Sequence, residues 1–285
     1  MVERLSNAYE SNLTSASLSA MLELGVTLKY YKDSMVLVGG WVPYFLIEEF
    51  GKKEFSHVGS IDIDFAINPD EIDANEYATI IDMIKRRGYN NRIAKDGSII
   101  QFSFIKKIRS PNDKCEYDIQ VDFLTSPTIS NKKHRHRMVQ HDLPARITKG
   151  CDLAFNHNMN KRIEGLLPDN GESKIEIKML DIPGCIGMKG IVLGEGYREK
   201  DAYDIYSVIG HCLENPSNIA KKVKPYLNEP SMKEGIDSIK DKFRNIRAEG
   251  PSWTAIFMYP TEEEMQDRIK AESYILVKEF LDGLQ

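Results

Sequence analysis

Ser60-Ile61-Asp62-Ile63-Asp64-Phe65-Ala66-Ile67 is the stretch on which the reading of this chain turns. Ile61, Ile63 and Phe65 alternate there with Asp62 and Asp64. A period of two is a strand period, because successive strand side chains point to opposite faces. Residues two apart share a face, so the two carboxylates stand side by side, where their repulsion is costly without a cation. Aspartate is also disfavoured in strands, so a pair flanked by Ile and Phe needs a reason. Magnesium takes carboxylate oxygens and leaves its other positions to water and phosphate, which makes Asp62 and Asp64 candidate metal ligands. The bland alternative is a half-exposed strand with a solvated acidic face.

Upstream, residues from about Ser15 to Leu28 read as a helix, and Ser34 to Val38 as a short buried strand meeting Gly39-Gly40. Trp41 to Phe50 is dense in apolar residues, with Pro43 where the first turn of a helix tolerates it. Two glycines let the backbone approach an anion closely, and a helix start supplies free N–H groups and a positive dipole end. An ordinary strand-to-helix turn would look the same. Downstream, Asn68-Pro69-Asp70 breaks the strand, Glu71 to Arg87 reads as a helix ended by Gly88, and Ile99 to Ile105 and Tyr117 to Leu124 read as strands. Asp118, Gln120 and Asp122 fall on one face of the last. If that strand lies beside the first, Asp122 joins the acidic pair, binds a second metal and accepts the proton of an attacking hydroxyl. Asp118 competes for the role; Asp122 sits deeper in the apolar stretch.

The composition shifts after Pro127, where Lys132-Lys133-His134-Arg135-His136-Arg137 reads as a basic loop or linker. Such a run grips RNA phosphates if it flanks a cleft, but charge runs are usually wet surface. Arg162 to Leu167 and Lys174 to Leu180 read as a hairpin around Pro168-Asp169-Asn170-Gly171. From Ile182 onward the pattern is helical, ending in a helix capped by Thr261 and Glu264 with Met265, Ile269, Leu276 and Phe280 on one face. The expected protein is α+β. Residues 1–130 form a mixed sheet flanked by helices, and residues 131–285 a mostly helical domain with a small hairpin.

The 285 residues are 41% apolar and 28% charged, with a formal net charge of -5, so no bulk basic field points to nucleic acid. No apolar run approaches the ~18 residues of a membrane span. Met1-Val2-Glu3-Arg4-Leu5 does not read as a signal peptide. Cys115, Cys151, Cys185 and Cys212 are too scattered for a disulfide framework, which suggests a reducing cytoplasm. His134, His136, His141 and Cys151 fit no usual zinc spacing.

The order Gly-Gly, helix, Asp-x-Asp on a strand and a later strand Asp is similar to the nucleotidyltransferase fold of the DNA polymerase β superfamily. More narrowly, Val38-Gly39-Gly40-Trp41 with Ser60-Ile61-Asp62-Ile63-Asp64-Phe65 resembles the AbiEii-type (abortive infection) nucleotidyltransferases, often the toxin half of toxin–antitoxin pairs. The Gly-Gly-Trp start is also similar to antibiotic-modifying adenylyltransferases. The resemblance implies that Gly39 and Gly40 bind the triphosphate of an NTP and that Asp62, Asp64 and Asp122 bind two magnesium ions. Met188-Lys189-Gly190 followed by Arg198-Glu199-Lys200-Asp201-Ala202-Tyr203-Asp204 resembles the family's helical segment. That implies a triphosphate contact for Lys189 and a positioning role for Asp204; the alternative is a local ion-pair cluster that docks the two domains.

The resemblance spans roughly Met35 to Ile209. The chain departs from it at Trp41-Val42-Pro43, where the family commonly has a Ser or Thr, and in the insert Gly51 to Gly59. Ser56, His57 or Ser60 are candidates for the missing polar contact. The implied activity is magnesium-dependent transfer of an NMP to a hydroxyl of RNA, tRNA included, or of a protein, with an antitoxin protein as partner. An antibiotic adenylyltransferase and a catalytically inactive nucleotide-binding module are the alternatives.

Overall fold

The computed structural model describes residues 5–72, 79–127, 135–196 and 198–285. Its contacts divide the chain into two compact units. One comprises Glu10–Gly39 and Ser60–Leu180 and carries the sheet; the other comprises the described residues of Met1–Tyr9, Gly40–Gly59 and Asp181–Gln285 and is helical. The architecture is α+β with a mixed sheet, as the sequence patterns predict.

The sheet unit opens with α1 (Ser11–Thr27), which buries Ala16, Ala20, Met21, Leu22 and Leu24. Strand β1 (Met35–Val38) is buried at every position. Then come β2 (Ile63–Ile67), α3 (Ile80–Arg86), β3 (Asn90–Ile93), β4 (Ile99–Arg109) and β5 (Glu116–Thr125). They are followed by β6 (His136–Met138), β7 (Pro144–Ile147), α4 (Cys151–Asn156), β8 (Asn158–Leu166) and β9 (Glu172–Leu180). The strand order is β3-β4-β5-β2-β1-β9-β8, with β7 joining β5 and β6 joining β7. β1 reads as an apolar run because both its faces are covered, whereas β2 and β5 keep an alternating pattern with half-buried aspartates.

Several expectations are revised. The hairpin of β8 and β9, assigned by sequence to the helical half, belongs to this sheet: Val36 and Leu37 of β1 pair in parallel with Lys178 and Met179. The division near residue 130 consequently falls among strands of one sheet. The helix expected over 71–87 is seen as a short 3₁₀ turn at Pro69–Glu71 and as α3, capped by Thr79, which accepts from the Asp82 N–H; residues 73–78 between them lie outside the described residues. Of the basic run, 132–134 likewise lie outside, and His136–Met138 is strand rather than loop.

The helical unit contains α2 (Trp41–Phe50), α5 (Ile182–Gly194), α6 (Glu199–His211), α7 (Pro216–Val223), α8 (Pro230–Lys242), α9 (Glu249–Met258) and α10 (Glu263–Gly283). Helices α5 and α8 approach so closely that a Cβ on Gly190 would come within 2.3 Å of the Gly235 carbonyl oxygen. Tyr203 and Tyr206 of α6 pack with Phe257 of α9. The capping box at Thr261 and Glu264 does not form: α10 begins at Glu263, with no side-chain bond at its cap. Its buried stripe runs through Ile269, Ser273, Val277 and Phe280. Among the described residues, no helix is long and apolar enough to cross a membrane.

Candidate active site

Strand pairing assembles the acidic residues of the sheet unit. β2 runs antiparallel to β1, with Val38 opposite Asp64, and parallel to β5, with Asp64 opposite Asp122. On the far side of β5, antiparallel β4 places Ser103 opposite Asp122. Val38, Asp64, Asp122 and Ser103 thus form one row across four strands, spaced by about 4.8 Å, with their side chains on one face. The structure therefore brings Asp64 and Asp122 together. Asp62 stands two residues before Asp64, just ahead of β2, and its carbonyl accepts from Ser60 Oγ at 3.3 Å. Asp118 sits opposite Lys107, four residues up the strand from Asp122. That is roughly 13 Å away at ~3.3 Å per residue. The pairing with β2 begins only at Val121, so Asp122 and not Asp118 is the neighbour of the acidic pair.

Gly39 meets the same row. Its φ is +75°, a left-handed value that other residues adopt only with strain, and a Cβ built there would lie 2.2 Å from Asp64 Oδ2. The Asp64 carboxylate therefore lies directly against the Gly39 backbone. Gly40 follows at the N-cap of α2 with φ -74°. Cys151, the first residue of α4, is fully buried; burial, then the Asp152 and Asp64 charges, push its thiol up, so it stays neutral.

Asp122 is held by neutral donors. Ser103 Oγ donates to Oδ1 at 2.5 Å, and Gln120 Nε2 donates to the same oxygen at 2.9 Å. The Arg92 guanidinium in turn donates to Gln120 Oε1. The hydrogen bonds to Asp122 from described residues both go to Oδ1. Among the described residues, no three His, Cys, Asp or Glu side chains make a ready-made metal cage. A magnesium ion needs none, since it is usually held by one or two carboxylates together with substrate phosphates and water. Asp64 and Asp122, hard oxygen donors in register, fit that requirement.

In the helical unit, Lys189 and Asp204 belong to a buried ionic cluster. Lys189 Nζ lies 2.7 Å from Asp201 Oδ1 and 2.6 Å from Asp204 Oδ2. Asp204 Oδ1 is met by Lys200 Nζ at 2.7 Å and His57 Nε2 at 2.9 Å. His57 Nδ1 accepts the Gly59 N–H at 3.1 Å, so the ring proton is on Nε2 and points at Asp204. Burial pushes Lys189 down, but the Asp201 and Asp204 charges outweigh it and hold the ammonium above its usual range. Burial likewise opposes ionisation of Asp204, and Lys189, Lys200 and His57 overcome it, holding the carboxyl well below the usual range. Of the polar candidates in the insert, His57 is thus engaged with Asp204. The ion-pair cluster weighed for Lys189 is present within the helical unit.

No protein-family model matches the chain, and no curated protein matches it. Among solved structures, the chain is similar to an antigenic nucleotidyltransferase-like protein from Paracoccidioides brasiliensis. The two are 15% identical, the match covers 80% of this chain and 89% of that one, and the TM-score is 0.43. Likeness at that level leaves the chemistry to be read from the site itself.

Sequence reasoning placed Gln120 on the face of Asp122 but missed Ser103 and Arg92. Their signal is non-local, since nothing in Ile99–Arg109 announces which residue of β5 it will face. Lys200 was legible as an i, i+4 partner of Asp204; His57, 147 residues away in sequence, was not.

Proposed function

We propose that this chain is a magnesium-dependent nucleotidyltransferase of the DNA polymerase β superfamily, transferring an NMP from an NTP to a hydroxyl of RNA or protein. The observation that carries this reading is the register of Asp64 with Asp122, one row with the Asp64 carboxylate lying against Gly39. Two carboxylates on neighbouring strands repel each other. A glycine whose missing side chain makes room for one of them keeps the pair in one row, where a divalent cation would relieve the repulsion.

Asp62, Asp64 and Asp122 Oδ2 would hold magnesium. When bound, the ion supplies neutralisation of the triphosphate and a more acidic attacking hydroxyl. The residues themselves do positional work. The row of the sheet fixes where the carboxylates stand, Gly39 makes room for Asp64 while the start of α2 at Gly40 would offer backbone N–H groups to the phosphate tail, and Ser103 and Gln120 hold Asp122 still. Most of the rate in phosphoryl and nucleotidyl transfer comes from such positioning and charge neutralisation. The acceptor class and a toxin role with an antitoxin partner are supported by the motif resemblance at Val38–Trp41 and Ser60–Phe65.

The test is to incubate the protein with α-labelled NTPs and magnesium in the presence of total RNA, total protein or aminoglycosides. Label is expected in RNA or protein, is abolished by EDTA, and falls in Asp122→Asn by more than the ~100-fold typical of losing an outer-shell partner. Label on the aminoglycoside would instead identify an antibiotic-modifying enzyme. Absence of label and of metal-dependent NTP binding would identify an inactive module.

A further inference from the structure

Asp122 is held by a dedicated set of neighbours. β3 and β4 lose their simple register between Asn91 and Arg92: Asn91 is opposite Phe104, but Arg92 is opposite Ile100. One step on β3 thus spans four on β4, and residues 101–103 bulge from the pairing. Bulges re-aim side chains and are common beside active sites. Here the bulged segment includes Ser103, which remains paired with Asp122 on its other side. Ser103 is fully buried. A buried hydroxyl is costly unless bonded, and its proton goes to Asp122 Oδ1 at 2.5 Å.

Gln120 gives the same oxygen a second donor at 2.9 Å. A glutamine amide can turn either its oxygen or its nitrogen toward a neighbour. Arg92 removes that freedom: a guanidinium has donors and no acceptor, so it can meet only Oε1, and Nε2 must face Asp122.

We propose that Ser103, Gln120 and Arg92 are positioning residues that commit Asp122 to holding the divalent cation through Oδ2 alone. The proposal rests on the nucleotidyltransferase reading in one respect, that a cation binds at Asp64 and Asp122. With Oδ1 occupied by two donors, rotation of the carboxylate into a two-oxygen grip would break those bonds, and the remaining lone pairs are those of Oδ2. Loosening an outer-shell partner of a metal ligand typically costs 10–100-fold in metal affinity.

The test titrates Mn2+ alone into the full-length protein, reading free Mn2+ by electron paramagnetic resonance and fold by circular dichroism. Wild type is compared with Ser103→Ala, Arg92→Met, Arg92→Lys and Asp122→Asn. Mn2+ affinity is expected to fall about 10–100-fold in Ser103→Ala. It should fall about 10-fold in Arg92→Met and recover toward wild type in Arg92→Lys, which keeps a donor-only cation against Gln120. If Ser103→Ala does not fold, the two Arg92 variants decide, since that residue is only half-buried. Wild-type affinity in both folded Ser103→Ala and Arg92→Met, with binding lost in Asp122→Asn, would overturn the positioning role and leave the cation site standing. Equal binding by wild type and Asp122→Asn, or none by either, would instead overturn the cation site and this inference with it.

Discussion

At the scale of the residue, Gly39 does two separable things. Its φ of +75° lets the chain turn out of β1, and its missing Cβ leaves space for Asp64 Oδ2, which would otherwise be 2.2 Å away. Gly39→Ala should therefore cost stability and function for different reasons. Left-handed backbone costs a residue with a Cβ roughly 1–2 kcal/mol. The clash adds to this, because the carboxylate must move away from the row it shares with Asp122. We expect a loss of about 1–3 kcal/mol in urea unfolding, together with a fall in Mn2+ affinity at temperatures where the variant is fully folded. A variant that is destabilised yet binds Mn2+ normally would show that the glycine serves the turn alone. The Gly-Gly pair was legible in sequence as a turn, and Asp64 as a strand carboxylate, whereas Asp62 stands just ahead of the strand. Which glycine faces which carboxylate was not legible, because it depends on the antiparallel pairing of Val38 with Asp64.

At the scale of the element, the cluster around Asp204 ties the segment before Gly59 to α5 and α6. His57, Lys189 and Asp204 are buried and Lys200 is half-buried, and with Asp201 the two lysines and two aspartates balance to zero charge while His57 is neutral. Burial first, then the Lys200 charge, lowers the His57 pKa from 6.5 to about 4. An unfolded histidine titrates near 6.5. Between pH 6.5 and 4 the unfolded chain therefore takes up a proton that the folded chain refuses, and stability is lost as pH falls through that window. The contribution is at most about 3.5 kcal/mol, at ~1.4 kcal/mol for each unit of pKa. His211, lowered to about 4 chiefly by burial, titrates in the same window. Denaturant unfolding from pH 7 to pH 4 should thus show falling stability, and His57→Gln should flatten the slope by about one proton's worth. An unchanged slope would count against the buried neutral imidazole. The helices themselves were legible, since Ala202, Ile205, Tyr206 and Ile209 form the buried stripe their spacing predicts. The route of Asp204 to His57 was not, because the insert before Gly59 has no periodicity to read.

At the scale of the whole molecule, the chain builds its units from discontinuous segments, and this is where sequence reading fell furthest short. A composition shift after Pro127 suggested a domain end, yet β5 continues its pairing with β7 through Leu124 and Thr125 opposite Arg146 and Ile147. β1, buried at all four positions, has β2 on one side and β9 on the other. Strands that meet across more than a hundred residues leave no trace in local propensity; only the partnered fold shows them. The consequence can be measured on fragments. A chain of residues 1–130 keeps β1 to β5 but lacks β7, α4 and β9, so the apolar strand β1 becomes an open edge, which invites aggregation. It should show no cooperative thermal transition by circular dichroism and should associate at micromolar concentration. Residues 1–180 restore every strand of the sheet, and a cooperative transition should return with them. If the shorter fragment melted cooperatively as a monomer, β7 to β9 would be an appendage to a self-sufficient core, and the acidic row would not need them to stand in register.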